Sequence, residues 1–379
     1  PHDPGLAAAE AADAAAQALD GAETRLALTF ASAGYASGLA SAAAAVEARL
    51  QPGVLLGAVA QGVVGPRTEV EDGPAVSVWC ATWEGGDVLP FRSMTQPVPE
   101  GGGLAVVGWP DTRAGDVVVV LADPRSYPAA QVIDHLGHQR PGHRIVGGLV
   151  VAGAGPGRFV LGARDGREVF EHGAVGVVLR GVPVRTVVSQ GCRPVGEPYV
   201  VTSAEGNVVL QLAGEPATAR LREVFAGASE EDRERMQHGL HVGLVADEYR
   251  DRYDTGDFLI RAVVGAEESS GGIAIGDQVR VGQTIQFQVR DAASAHADLH
   301  RALRTMGGHR AAGALLFTCN GRGRRFFGQD HHDARVLAEA ITGQVAGVFC
   351  AGEIGPVGDR SFVHGFTASL AVFERDGDA

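Results

Sequence analysis

Lysine is absent from the 379 residues: all 32 basic side chains are arginine, against 45 acids, for a formal net charge of −13. Without lysine there is no phosphate-binding loop ending in Gly-Lys-Ser/Thr, no kinase lysine and no Schiff-base or pyridoxal-phosphate lysine. The acidic balance disfavours general binding to nucleic acid or to anionic membranes. Cysteine is scarce, and Cys80, Cys192, Cys319 and Cys350 form no Cys-x-x-Cys pair. A structural zinc site and a disulfide framework are therefore not expected, and a reducing cytoplasm fits best. The longest apolar runs, such as the Val-rich stretch 116–123, are too short to span a bilayer, and no signal peptide is visible. Three enzyme signatures are missing as well: Gly-x-Ser-x-Gly, His-Glu-x-x-His, and a Gly-x-Gly-x-x-Gly behind a strand. The nearest approach is Gly321-x-Gly323, with Phe326 where the third glycine belongs. No metal and no cofactor are expected.

What is abundant is glycine, 54 of 379 residues or about 14%, against a usual ~7%. With 45% hydrophobic and 20% charged residues the chain reads as globular, so the glycines belong inside a fold. A unit of strand, loop, helix, turn and strand occurs three times. It starts near Arg25, Asp116 and Gly313, and its second strand carries Gly57-x4-Gly62, Gly148-x4-Gly153 or Gly347-x4-Gly352. In each, glycine lets the strand kink or another backbone come close. The first copy reads as a strand 25–30, a helix 39–50 and one strand 54–64. β-rich sequence fills the space between copies two and three, with a charged helix at 230–237 that Ser229 would cap. The expected fold is α/β: two related lobes of mixed sheet flanked by helices. The expected organisation is an Ala-rich N-terminal helix in 1–23, a domain at 24–181 and a second at 182–379.

The loop Cys319-Asn320-Gly321-Arg322-Gly323 follows a strand and precedes a helix, the place where open α/β sheets bind ligands. Gly321 and Gly323 allow N–H groups to face a ligand, and Arg322 offers a planar fork for a carboxylate or phosphate. A solvated basic loop is the bland alternative. Gly352-Glu353, after the last strand of copy three, could accept an ammonium or form a structural ion pair. The acidic turn Glu69-Val70-Glu71-Asp72 either is solvated or lines the cleft. Cys319 beside arginines could be a nucleophile with His364 as base, although a buried inert cysteine and a satisfied core histidine are the commoner cases. His135, His138 and His143 read as a solvated helix end rather than a zinc site. His331-His332, between Asp330 and Asp333, reads as a helix N-terminus.

Together these segments resemble the FIST family. The resemblance spans about 24–373 and rests on Leu28-Thr29-Phe30-Ala31-Ser32, the stretch Leu56 to Gly65 with Glu69 to Gly73, Ile145 to Leu149, and Val188 to Gly196. Its sharpest parts are Leu316 to Gly323, Gly352 to Gly358 and His364 to Leu370. The resemblance implies a sensory protein that binds a small molecule, plausibly an amino acid, in intracellular signalling. No kinase, cyclase, methyl-accepting or F-box segment is visible, so the output would pass through an unknown partner chain; in the scaffold alternative the N-terminal helix docks on a partner or on a second copy, a homodimer. The expected ligand site is Cys319, Asn320, Gly321, Arg322, Gly323, Gly352, Glu353 and His364. In it Arg322 takes a carboxylate, Glu353 an ammonium, and Asn320 sets the orientation. An enzyme using Cys319 and His364 and an interaction scaffold are the alternatives; no catalytic activity is expected.

Overall fold

The computed structural model describes residues 3–98, 103–140, 142–153, 155–163, 166–250, 252–267, 269–306 and 311–375. The expected mixed α/β architecture is present: mixed sheets flanked by helices and built from the repeated unit. The chain divides into two compact units that are discontinuous in sequence. One comprises Pro1–Val188, His300–Val363 and Ala368–Ala379; the other comprises Ser189–Leu299 and His364–Thr367. All three repeats lie in the first, apart from His364–Thr367 of the third.

Each repeat is longer than the sequence suggested. A parallel strand–helix–strand is followed by a hairpin and then a return strand. In the first repeat these are Leu26–Ser32, helix Leu39–Leu50, Val54–Ala60, hairpin Val63–Gly65/Thr68–Val70, and Val76–Ala81. The second has Val117–Ala122, helix Ala129–Gln139, Arg144–Leu149, hairpin Phe159–Ala163/Gly166–Phe170, and Ala174–Arg180. The third has Ala311–Cys319, helices Arg324–Phe327 and His332–Ala340, Gln344–Cys350, hairpin Glu353–Val357/Arg360–His364, and Ala368–Glu374. The first two strands pair in parallel in every repeat. The return strand adds antiparallel to the first strand's other edge.

The hairpins are exchanged. Val63–Gly65 of the first repeat pairs with Gln344–Cys350 of the third. Glu353–Val357 of the third pairs with Arg144–Leu149 of the second, and Phe159–Ala163 of the second pairs with Val54–Ala60 of the first. The exchange closes after three steps, so each sheet is finished by a strand from another repeat. This is why the expected single strand 54–64 breaks after Ala60: its second half leaves for a different sheet. The inner sheet faces share one core, in which Phe30 and Leu56 meet Leu121 and Val146 and also Phe317 and Val348. Helices cover the outer faces. Pro4–Ala18 and Leu39–Leu50 lie on the first sheet, and Ala129–Gln139 on the second.

The repeated glycine marks a close approach between the parallel strands. A Cβ on Gly57, Gly147 or Gly347 would lie 2.4, 1.8 or 1.9 Å from the carbonyl oxygen of Thr29, Val120 or Leu316, its partner across the strand pair. The equivalent residue in the second repeat is therefore Gly147, one position before the glycine that the spacing picked.

The second unit is an all-antiparallel sheet that closes on itself through the pairing of Leu240–Val245 with Thr284–Arg290. Phe258 and Ile260 pack in its core with Cys192. Its charged helix runs Glu230–His238, and the Ser229 hydroxyl accepts the Asp232 N–H at 3.1 Å, as the sequence indicated.

Replacing Gly347 with alanine drives a methyl into a backbone carbonyl, and we expect a loss of about 3 kcal/mol in chemical denaturation. Gly65→Ala, at a position with nothing within 4 Å of the added Cβ, is the matched control. It should stay within about 0.5 kcal/mol of the parent.

Candidate functional site

The loop after Ala311–Cys319 is folded around one buried ion pair. Arg322 and Asp333 are 1% and 0% exposed. The Arg322 fork donates through Nε to Asp333 Oδ2 and through Nη2 to Oδ1, both at 3.1 Å. Thr318 Oγ1 donates to Oδ2 at 3.0 Å, and His332 Nδ1 lies 2.9 Å from Oδ1. The His332 ring stacks on Phe327 at 3.5 Å, and the guanidinium sits 5.3 Å over the same phenyl ring. Burial alone would raise Asp333, but Arg322 and His332 outweigh it and hold the acid at about 2. Arg322 is raised in turn: burial opposes its charge, while Asp333, Cys319 and Glu353 favour it.

The acidic turn of the first repeat reaches this hub on its exchanged hairpin. Glu69, 5% exposed, accepts the Ala334 N–H through Oε1 at 2.8 Å in the first turn of helix His332–Ala340. Its own N–H donates to His331 Nδ1 at 3.0 Å. Glu71 Oε1 accepts the Arg324 N–H at 2.7 Å, and Arg324 pairs with Asp72 at 2.9 Å. A Cβ at position 323 would stand 2.0 Å from Glu71, so the clasp needs glycine there. Burial first, then Asp333 and Glu71, push Glu69 up to about 8, so it is neutral at pH 7.

The other expected residues divide between surface and interior. Asn320 is exposed and its N–H donates to the Cys350 carbonyl at 2.8 Å; Gly321 is half-buried. Cys319 is buried, its sulfur accepts the Gly321 N–H at 3.4 Å, and it stands opposite Cys350 on the neighbouring strand. Burial, with Glu353 and Cys319 nearby, pushes the Cys350 thiol well up. Gly352 and Glu353 are buried where the exchanged strand joins the second repeat's sheet, with Glu353 opposite Gly148. Arg322 thus interacts with Cys319 and Glu353, but its fork is committed to Asp333. His364, 2% exposed, belongs to the second compact unit. His135, His138 and His143 turn to separate partners: Gln139, the Asp134 carbonyl and Thr112. Among the described residues no group of three or more His, Cys, Asp and Glu side chains could hold a metal ion.

A larger opening lies elsewhere in the first unit. A cavity of about 690 Å³ is bounded by the N-terminal helix through Ala11, Ala14, Ala15 and Ala18, by the edge strand Val76–Ala81, and by Trp79, Trp83 and Phe373. The Trp79 and Phe373 rings lie 4.7 Å apart, and Trp79 Nε1 donates to the Gln344 carbonyl at 3.3 Å. The one charged residue on the described walls, Glu374, pairs with Arg185 at 2.5 Å. Cys80 also lines the cavity; it is half-buried, and burial pushes its thiol up to about 11.

Two family models match consecutive stretches of the chain: the FIST N domain over residues 25–215 and the FIST C domain over 217–356. The chain belongs to the FIST family. FIST domains are associated with sensing in signal transduction. Relatives include an uncharacterized protein of Mycobacterium tuberculosis, 44% identical over 372 residues, covering 97% of this chain and 96% of the relative. Another is an uncharacterized protein of Mycobacterium bovis, 44% identical over 376 residues, covering 98% and 96%. No helix among the described residues is long and apolar enough to cross a membrane.

Both FIST segments meet at the hub, because Glu69 and Glu71 come from the N segment and Arg322 and Asp333 from the C segment. Asp333→Ala strands a buried guanidinium and should lower unfolding stability by about 3–5 kcal/mol. The double variant Arg322→Met/Asp333→Leu should recover a large part, as read by denaturant titration. Glu69 supplies a pH signature. Its folded value lies above its ordinary one, so the native state holds an extra proton from about pH 4.5 to about 8. Stability is lost as pH rises through that window. Glu69→Gln should therefore match the parent near pH 4.5 and melt increasingly higher than it up to pH 8.

Proposed function

We propose that this FIST protein is a cytoplasmic sensory protein that binds a small ligand and relays its presence to a partner chain. The cavity of about 690 Å³ carries this reading. Its volume falls within the range of small-molecule sites, and its aromatic and aliphatic walls are the usual lining of such sites. The family's association with sensing supports the same reading, as do four free cysteines for a reducing compartment.

The polar loop is a poorer seat for the ligand. An α-amino acid bound by Arg322 and Glu353 would have to reach two buried side chains, 1% and 0% exposed, and compete with Asp333 for a guanidinium that already donates to it twice. Losing that partner would leave a buried acid uncompensated. The cavity needs no such competition.

A thermal-shift screen tests the reading, using amino acids, small carboxylates and neutral metabolites at millimolar concentration. We expect at least one compound to raise the melting temperature of the parent. Ala15→Trp, which fills the cavity from the helix side, should abolish the shift, whereas Asn320→Ala should leave it unchanged. The reading is overturned if no compound in the panel shifts the parent.

A further inference from the structure

Resting on the cavity as ligand site, we infer that its ligand is an uncharged, largely apolar molecule, and that this molecule clamps the N-terminal helix Pro4–Ala18 in its docked position. The ligand class follows from the walls. Alanine, valine, tryptophan and phenylalanine dominate, and the single charged wall residue, Glu374, is already paired with Arg185. A carboxylate or ammonium placed there would lose its hydration and gain no opposite charge. An uncharged, largely apolar body gives up no charge hydration, and Thr68, Ser77, Thr82 and Gln344 on the walls are neutral polar groups it can meet.

The clamp follows from how the helix is held. Its own fully buried side chains are Ala8 and Ala12, each worth only a methyl group of apolar burial, on the face turned to Leu39–Leu50. Its ion pair, Asp13 with Arg49 at 3.7 Å, joins two half-exposed side chains and adds little. A helix of 15 residues does not hold its shape alone in water. Ala11, Ala14, Ala15 and Ala18 follow the i, i+3, i+4, i+7 spacing and form a second face along the cavity, across from the strand Val76–Ala81, with Ala11 and Ala15 only half-buried and Ala14 and Ala18 exposed. Filling the cavity gives that face a further packing partner. The ligand therefore binds the docked helix, and by linkage its binding free energy is added to the helix's docking. An occupied cavity holds residues 4–18 down; an empty one lets them open. This supplies a signal at the chain's edge without movement of the sheets.

The test uses the full chain and N-phenyl-1-naphthylamine, an uncharged apolar fluorophore. Its emission reports binding, and hydrogen–deuterium exchange of peptides covering residues 4–19 reports the helix. At ten times Kd, exchange in the helix should slow about tenfold, while the Ala129–Gln139 helix stays unchanged. Decanol should displace the fluorophore more effectively than decanoate or decylamine. Uncharged N-ethylmaleimide should alkylate Cys80 more slowly in the bound state, which locates the probe without any substitution. Binding with unchanged helix exchange overturns the clamp. Preferential displacement by decanoate or decylamine, or no fluorophore binding, overturns the ligand class. Neither result touches the sensory reading, which stands or falls on the metabolite screen.

Discussion

The second strand of every repeat has an edge that its own hairpin does not cover. That edge has to be paired, because the strand is buried and its peptide groups have no water to bond. The molecule meets the constraint by exchange: Val63–Gly65, Phe159–Ala163 and Glu353–Val357 each finish a neighbour's sheet. The three repeats thus depend on each other for backbone hydrogen bonds as well as for the core. Glycine at 57, 147 and 347 is the local condition, since a side chain there would push the parallel strands apart.

The exchange also places the chemistry. The first repeat's hairpin inserts beside Gln344–Cys350, and its far strand brings Glu69 to the helix that starts at His332. One carboxyl caps that helix while Asp333, beside it, closes on Arg322. Two acids in one buried spot cannot both ionise easily, and their environments separate them: Asp333 has the guanidinium and stays charged, while Glu69 stays protonated. A loop rich in arginine and glycine is tied to its surroundings in this way. Its most ligand-like side chain is the centre of a structural knot.

Much of the fold was legible because the repeat is written locally. Strand–helix–strand order and the close-packed glycine recur at fixed spacing, and each is a short-range signal. The exchange was not legible, because pairing Val63–Gly65 with Gln344–Cys350 leaves no mark on either segment. The candidate loop was found from its glycines and arginine, but the partner that occupies Arg322 was read only as a favourable acid at a helix start. Three of the four residues Glu69 to Asp72 are acids, which fits a solvated turn and a turn lining the cleft equally; only the tertiary contact shows that the first is buried. The cavity escaped notice because its walls come from distant segments. Two traces were present: alanines at 11, 14, 15 and 18 on one helical face, and Trp79 with Trp83 close together in a chain with three tryptophans.

The helix and the cavity together explain why an alanine-rich segment is kept against the first sheet's edge. Alanine makes a smooth, thin wall that packs weakly by itself and packs well against an apolar guest. The most direct measurement is a crystal structure of the protein under xenon pressure, since xenon occupies apolar cavities and ignores charged ones. Xenon density between Ala11, Ala15, Trp79 and Phe373, with the helix docked, is the predicted result. A helix collapsed onto Val76–Ala81 with no space between them and no xenon would contradict the account.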